Sequence, residues 1–165
     1  MRVSADGEVQ ARGNAVMAGY WEQPEASAEA IPDGWFHTGD GGAIDEDGYV
    51  QILDRKKDVI ISGGENVSSI EVEDCVFSHP EVAEVAVIGI PDEKWGELVL
   101  ALVVTTPGSS LTEADVIAYT KTKLAGYKCP KRVEFRDALA RTATGKLQKF
   151  KLREPYWAGL ERKVN

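Results

Sequence analysis

A lysine near the end of the chain has the neighbours that a catalytic cation needs. Lys146 ends the run Arg141-Thr142-Ala143-Thr144-Gly145-Lys146, where the glycine allows a tight turn that can present the side chain. An ammonium group held in place can offset negative charge that builds on phosphate and carboxylate oxygens in a transition state. Most lysines are simply exposed, so the residue pattern alone leaves a surface role open. The run is not a P-loop, because Ala140 stands where that motif requires a glycine.

Two other positions could contact a ligand. Asp40 follows a Thr-Gly pair and is expected on a loop, where its carboxylate could accept hydrogen bonds from two adjacent hydroxyls. Spacing alone favours the simpler interpretation, in which Asp40 caps a turn. The pair Gly63-Gly64 follows a short apolar strand, and glycines permit both a hairpin turn and close backbone approach to a ligand. For this pair the two interpretations are equally supported.

The elements that must position these residues fall into two stretches. Residues 1–53 contain short apolar runs broken by glycines and turn signals, which predicts β structure. Beyond them, capping signals at Ser68 and Thr112 predict two helices. Apolar runs at residues 82–90, 98–104 and 133–135 predict strands, the second of them central. The order strand, helix, strand, strand, helix, strand predicts a compact α/β or α+β domain of about a hundred residues.

Composition excludes several classes of protein. The formal net charge is −8, and non-specific nucleic-acid binding needs a basic face, although residues 121–151 could still contact a small phosphorylated ligand. Cys75 and Cys129 cannot build a disulfide framework, and His37 and His79 lie too far apart in sequence to predict a metal site. The first residues lack a signal-peptide core and no apolar run reaches the length of a membrane span, so we expect a cytoplasmic protein.

Three segments carry a family resemblance. They are Gly34-Trp35-Phe36-His37-Thr38-Gly39-Asp40, then Asp54-Arg55-Lys56-Lys57-Asp58 with Gly63-Gly64-Glu65-Asn66-Val67, then Arg141-Thr142-Ala143-Thr144-Gly145-Lys146-Leu147. In this order and spacing they resemble the C-terminal motifs of the adenylate-forming superfamily, which includes acyl-CoA and aryl-CoA synthetases, luciferases and peptide-synthetase adenylation domains. The resemblance extends over essentially the whole chain.

The resemblance implies an architecture. In that family a large N-terminal domain holds ATP and the carboxylic acid, and a small C-terminal domain swings between two orientations about a hinge. Residues 1–53 would be the β-rich end of the large domain. Residues 54–165 would be the mobile α+β domain, with a central three-stranded sheet, helices and a β-hairpin. The phosphate loop and adenine pocket would lie upstream of residue 1.

The resemblance also assigns roles on the nucleotide side. Asp40 would bind the ribose diol, and Arg55 would donate its forked N–H groups to ribose or phosphate oxygens. Asp54 would be the hinge, whose backbone torsions absorb the domain rotation. Lys146 would be the catalytic residue of adenylation. ATP and Mg²⁺ are implied, and no residue of this chain is assigned as a metal ligand.

On the acceptor side, the resemblance implies coenzyme A. Gly63, Gly64 and Glu65 would lie beside the pantetheine tunnel. Tyr127 could stack on the CoA adenine, and Lys128 could meet phosphate. An ordinary loop with surface charge is an equally good interpretation of these last two residues.

Two positions depart from the family pattern. Cys129 stands where a basic residue is frequent, which weakens the CoA assignment next to it. Ala140 stands where a proline is common, which loosens the loop without changing its chemistry.

The function implied is that of an ATP-dependent acyl-CoA synthetase, an acid-thiol ligase, with a medium- or long-chain fatty acid as the expected substrate. The alternatives are an adenylation domain that loads a carrier protein and a free-standing CoA- or nucleotide-binding module without turnover. The expected partners are small molecules and the absent N-terminal domain, so the chain alone is expected to be inactive.

Overall fold

The computed structural model describes residues 1–160 and divides the chain into two compact units, residues 1–57 and residues 58–165. The boundary expected from the sequence, between residues 53 and 54, stays a proposal. The last five residues of the proposed second domain, 161–165, lie outside the described residues.

The first unit is built on a four-stranded antiparallel sheet in the order β1-β2-β3-β4. Its strands are β1 (Arg2–Val3), β2 (Glu8–Ala11), β3 (Phe36–Ile44) and β4 (Val50–Arg55), and one helix, α1 (Pro24–Ala30), lies between β2 and β3 in sequence. The predicted turn between β3 and β4 is present, because the Asp45 carboxylate accepts the N–H groups of Asp47 and Tyr49. The β prediction for this stretch is therefore confirmed.

As far as residue 160, the second unit consists of a five-stranded sheet and three helices. Its elements are β5 (Ile60–Ser62), β6 (Glu65–Val67), α2 (Ser69–Phe77), β7 (Val82–Asp92), β8 (Gly96–Thr105), α3 (Glu113–Lys121), β9 (Arg132–Phe135) and α4 (Lys149–Trp157). The predicted three-stranded sheet is β7, β8 and β9, where β8 pairs antiparallel with β7 and parallel with β9. The hairpin β5–β6 joins it through the pair Ser62–Gly96. The α+β class is confirmed.

Local capping explains where two helices begin. The Ser68 hydroxyl accepts the N–H of Glu71 at 3.3 Å, so α2 starts where its sequence predicts. At α3, Thr112 and Asp115 form a complete capping box. Helix α4 was not predicted, because it has no side-chain N-cap and carries Pro155 in its interior.

The core of the second unit lies on both faces of β7 and β8. This explains the unbroken apolar run of β8, since a strand covered on both sides has no polar face. Residues of α2 and α3 cover one face, where Val133 of β9 joins the same cluster, and residues of the 139–156 segment cover the other. Leu147 belongs to that second group, so the residue after Lys146 is anchored in the core. Both cysteines are buried and free, and burial raises the pKa of the Cys75 thiol.

None of the helices formed by residues 1–160 combines the length and the apolar character that a membrane span requires.

Candidate functional site

In the first unit, Asp40 and Arg55 meet across the sheet. They are register partners on β3 and β4, and the Arg55 Nε lies 3.7 Å from the Asp40 Oδ1. Both side chains are partly exposed, at 53% for Arg55 and 35% for Asp40, so they remain accessible to a ligand. A cavity of about 410 Å³ is lined by residues 38–40 and 55–57, which place one carboxylate among three cationic side chains. This charge pattern fits a group that carries both hydroxyls and phosphates.

Asp40 lies inside strand β3, so the expectation of a loop position is wrong. The reason is a bulge: between two register pairs, Glu8–Gly41 and Gln10–His37, β2 advances by two residues and β3 by four. Residues 38–40, called here the 38–40 bulge, take up the difference. Gly39 supplies its left-handed backbone, with φ of +73°.

The 38–40 bulge is fixed by hydrogen bonds to strand β2. The Thr38 hydroxyl donates to the Val9 carbonyl at 2.6 Å and accepts the Asp40 N–H at 3.1 Å. The Gly39 N–H donates to the Glu8 Oε1 at 2.8 Å. The two residues that precede Asp40 are thus held by β2, which sets the position of its carboxylate.

Glu8 is a buried side chain with several polar partners. It is only 5% exposed, and its Oε2 lies 3.1 Å from the His37 Nδ1 and 3.6 Å from the Lys56 Nζ. Lys56 also pairs with Asp6 at 2.6 Å, and its pKa is raised, chiefly by that hydrogen bond. A buried carboxylate needs such partners, since its desolvation is otherwise costly. Glu8 therefore joins the 38–40 bulge to a cation of the cavity wall.

Asp54, the expected hinge residue, is 3% exposed and lies in β4 opposite Gly41. Its Oδ1 accepts the N–H of Arg55 at 2.7 Å. Asp54 thus contacts the backbone of Arg55, a residue of the cavity wall, and its hinge role stays a proposal.

In the second unit, Lys146 lies on a tight turn formed by residues 141–147, called here the 141–147 turn. Arg141 and Leu147 pair as an antiparallel bridge, and the Thr142 N–H donates to the Lys146 carbonyl at 2.8 Å. Gly145 supplies the left-handed backbone, with φ of +83°. The Lys146 side chain is exposed, and no hydrogen bond or ion pair within residues 1–160 engages its ammonium group. The turn therefore leaves this cation available for an anionic ligand.

The expected CoA residues fall into two places. Gly63 and Gly64 form the hairpin turn between β5 and β6, with φ of +63° and +86°, and Glu65 begins β6. The Gly63 N–H donates to the Trp95 carbonyl at 2.8 Å, and a Cβ at Gly63 would stand 2.7 Å from the indole ring. The hairpin interpretation is thus confirmed for the backbone, while any contact with CoA stays a prediction.

Tyr127 and Lys128 follow α3. The Tyr127 ring is 45% exposed and remains available for stacking. The Lys128 Nζ lies 2.7 Å from both carboxylate oxygens of Glu71, and this hydrogen bond raises the pKa of Lys128. Within residues 1–160, no hydrogen bond or ion pair joins these two residues to Gly63, Gly64 or Glu65. A phosphate at Lys128 would have to share this cation with Glu71.

The described residues offer no cage for a metal ion. No group of three or more histidine, cysteine, aspartate or glutamate side chains within residues 1–160 is arranged to hold one.

Sequence reasoning missed the residues that support the two candidate positions. Glu8 accepts the Gly39 N–H next to Asp40, and Arg141, named in the sequence only as part of a motif, donates to both the Gly145 carbonyl and Glu84. Glu8 and Gln10 flank Val9, and all three are buried in β2. Polar residues at consecutive buried positions signal a hydrogen-bond network, although the sequence does not name its partners.

Comparisons with known proteins agree with the resemblance. Residues 71–146 match the model of the AMP-binding enzyme C-terminal domain. A feruloyl-CoA synthase from Amycolatopsis sp is 49% identical over 150 residues, which is 91% of this chain and 30% of that protein. The fatty acid–[acyl-carrier-protein] ligase ScoC of Streptomyces coeruleorubidus is 47% identical over 161 residues, 98% of this chain and 31% of that protein. The structure of ATP-bound MatB from Rhodopseudomonas palustris is 44% identical with a TM-score of 0.87, over 94% of this chain and 31% of that one.

The fold and the motifs resemble those of the C-terminal region of adenylate-forming enzymes. Residues 71–146 belong to the AMP-binding enzyme C-terminal domain family. The chain spans about 30% of the length of the curated relatives it matches.

Proposed function

We propose that this chain acts as the C-terminal part of an ATP-dependent acyl-CoA synthetase. The observation that carries the proposal is the exposed Lys146, an ammonium without a partner in residues 1–160 on a turn with an anchored base. The 48 to 50% identity of several acyl-CoA-forming relatives over nearly the whole chain supports the same activity.

The reaction would proceed in two steps. In the first, a carboxylate oxygen of the acid attacks the α-phosphorus of ATP, pyrophosphate leaves, and an acyl-adenylate forms. Lys146 would offset the negative charge that this step builds on the phosphate oxygens. In the second, the CoA thiol loses its proton and attacks the acyl carbonyl, AMP leaves, and a thioester forms.

On the nucleotide side, the cavity of the first unit would receive part of ATP. Asp40 would accept the ribose hydroxyls, and Arg55 would donate to ribose or phosphate oxygens. The close pairing of their side chains supports this assignment, since one ligand could contact both. Asp54 would serve as the hinge between a domain ending near residue 53 and the mobile domain that follows. Magnesium would arrive with ATP, and this chain's described residues contribute no step through it.

On the acceptor side, the Gly63-Gly64-Glu65 hairpin would approach the pantetheine arm. Both glycines have left-handed backbones, and the exposed Gly64 has open space where a side chain would stand. Tyr127 would stack on the adenine of CoA, and Lys128 would exchange part of its contact with Glu71 for phosphate. The engaged state of Lys128 makes it the weakest member of this set.

A carrier-protein acceptor is the second candidate. ScoC, named as a ligase of fatty acids to an acyl carrier protein, is about as similar to this chain as the feruloyl-CoA synthase. The two relatives also differ in the acid that their names give, which is aromatic for the feruloyl-CoA synthase and a fatty acid for ScoC. A fatty acid remains our proposed substrate, in a cytoplasmic enzyme.

The test compares wild type with Lys146→Ala in the full-length enzyme that carries this sequence. Adenylate formation is followed by pyrophosphate release, and thioester formation is measured separately with preformed acyl-adenylate. We expect Lys146→Ala to lower the first rate by about 10²–10³-fold and to leave the second unchanged. Arg12→Ala, at an exposed cation outside residues 121–151, is the control and should change neither rate.

Other outcomes change the proposal in defined ways. If adenylate formation survives Lys146→Ala, Lys146 is a surface lysine and the site assignment is wrong. Thioester formation with holo carrier protein but not with CoA would replace the synthetase by the carrier-loading candidate. The isolated 165-residue chain, which we expect to show no turnover, is the blank for both assays.

A further inference from the structure

The peptide unit that joins Gly145 to Lys146 is held from both sides. The Lys146 N–H donates to the Thr142 Oγ1 at 3.0 Å. The Gly145 carbonyl, at the other end of the same peptide, accepts the Arg141 Nη1 at 2.8 Å. Because a peptide unit is planar, these two bonds fix its orientation and with it the direction in which the Lys146 side chain leaves the backbone.

A glycine makes such restraint necessary. Gly145 has φ of +83°, and a Cβ there would meet no atom within 4 Å. Glycine occupies left-handed and right-handed conformations with similar ease, so sterics alone do not hold the peptide that follows. The hydrogen bonds of Arg141 and Thr142 supply the missing constraint.

Arg141 is itself tied to the central sheet. Its Nε and Nη2 donate to the Glu84 Oε2 at 3.1 and 2.6 Å. Glu84 lies in β7 and pairs in register with Val104 of β8, within the most extensively paired strands of the unit. One guanidinium therefore connects the carbonyl next to Lys146 with a carboxylate on the sheet.

This connection does little for the stability of the fold. The Arg141 and Glu84 side chains are 43% and 37% exposed, and ion pairs at such exposure contribute little because water and salt screen them. The base of the turn is held independently by Leu147, which packs against the core. The geometry thus separates folding of the turn from orientation of its lysine.

We infer that Glu84 and Arg141 are positioning residues for adenylation, which orient the Gly145–Lys146 peptide so that the ammonium meets the reacting phosphate. The inference rests on the proposed role of Lys146. A misplacement of about 1 Å can cost on the order of a hundredfold in rate, so loss of this orientation is measurable even though the lysine remains.

The experiment uses Arg141→Gln and Glu84→Gln in the full-length synthetase, with Lys146→Ala measured in parallel. We expect adenylate formation to fall by roughly tenfold to a hundredfold in Arg141→Gln and by less in Glu84→Gln. Thioester formation from preformed acyl-adenylate and the melting temperature should stay at wild-type values. Arg12→Gln, at an exposed arginine that lies over the Trp35 ring and outside residues 121–151, is the control and should change nothing.

Exchanging the charges of Glu84 and Arg141 tests whether the ion pair alone is sufficient or whether the hydrogen bond to the Gly145 carbonyl is needed. In the double variant Glu84→Arg with Arg141→Glu the ion pair can form again, but a glutamate at position 141 cannot donate to the Gly145 carbonyl. We expect adenylation to stay low in this variant, and full recovery would overturn the inference.

Two other results would also overturn it. One is wild-type adenylation in Arg141→Gln while Lys146→Ala abolishes adenylation. The other is a parallel fall of both half-reactions and of the melting temperature, which would make the pair a structural contact. If Lys146→Ala itself leaves adenylation intact, the proposed function has failed and the positioning role fails with it.

Discussion

The 38–40 bulge and the 141–147 turn hold their candidate functional side chains, Asp40 and Lys146, with different anchors. Each uses a glycine with a left-handed backbone, Gly39 at φ +73° and Gly145 at φ +83°. The bulge is anchored by a carboxylate that is 5% exposed, whereas the turn relies on an ion pair whose members are 43% and 37% exposed. The two segments therefore share a left-handed glycine conformation and differ in the side chains that anchor them, Glu8 in one and the Arg141–Glu84 pair in the other.

This difference predicts what each anchor does. Removing a buried hydrogen-bond partner leaves a donor without water, which costs free energy of folding. Removing an exposed partner lets water take its place, so the fold is spared and only the orientation is lost. The candidate nucleotide contact is therefore coupled to the stability of its unit, and the candidate catalytic lysine is not.

The largest effect is expected when Glu8, the buried anchor of the 38–40 bulge, is removed. Glu8→Ala should lower the free energy of unfolding by about 1–3 kcal/mol, because it removes a buried carboxylate that accepts the Gly39 N–H in a part-buried hydrogen bond. Glu84→Ala should cost less than about 1 kcal/mol. Urea unfolding of the 165-residue chain gives both values, and amide hydrogen exchange at Gly39 reports the local loss.

Glu8→Gln is the control for this prediction, since its amide oxygen can still accept the Gly39 N–H while the charge facing Lys56 is lost. It should retain more protection at Gly39 than Glu8→Ala. An equal or larger destabilisation by Glu84→Ala would contradict the comparison between the two anchors.

Local signals in the sequence were sufficient for much of the fold. The hydroxyl of Ser68 caps α2 within three residues, and the apolar run of β8 identifies a strand covered on both faces. Helix α4 carries neither signal, because its first residues lack a capping side chain and Pro155 interrupts its pattern. Its position depends on packing of Leu152 and Tyr156 against the core, which a local pattern does not contain.

The candidate site was harder to predict, because its contacts join distant residues. Motifs identified Asp40 and Arg55, but their pairing depends on a register that includes a bulge. The bond between Glu8 and the Gly39 N–H spans 31 residues, and the contact of Lys128 with Glu71 spans 57. No local pattern specifies such partners, so the sequence predicted ligand-facing residues and missed what engages or supports them.

A smaller effect is expected from alanine substitutions at Gly39 and Gly145, which test whether the two left-handed glycines are strained to the same extent. Gly39→Ala and Gly145→Ala should each cost about 1 kcal/mol, because a Cβ at either position meets no atom within 4 Å and only the left-handed backbone is strained. Gly126→Ala is the control, since its φ lies outside the left-handed region and its surroundings are equally open. Urea unfolding compares the three variants. If Gly145→Ala lowers the free energy of unfolding several times more than Gly39→Ala, the left-handed glycine does not play the same role in the 38–40 bulge and the 141–147 turn.

The smallest expected effect concerns Asp6, an exposed carboxylate that Lys56 joins to the buried Glu8. Lys56 pairs with Asp6 at 2.6 Å as well as facing Glu8, and its hydrogen bond, with a second from Ser4, lowers the pKa of Asp6 to about 2. A lowered carboxyl pKa stabilises the folded state above the ordinary value of 3.8, and that contribution is lost as the pH falls towards 2. An NMR titration of the Asp6 side chain should therefore show a midpoint near 2 in wild type. In Lys56→Met the midpoint should rise towards 3.8, because the largest cause of the shift is gone. A midpoint that stays near 2 in Lys56→Met would show that Lys56 does not bridge Asp6 and Glu8. The hydrogen-bond network around Glu8 would then not extend to Asp6.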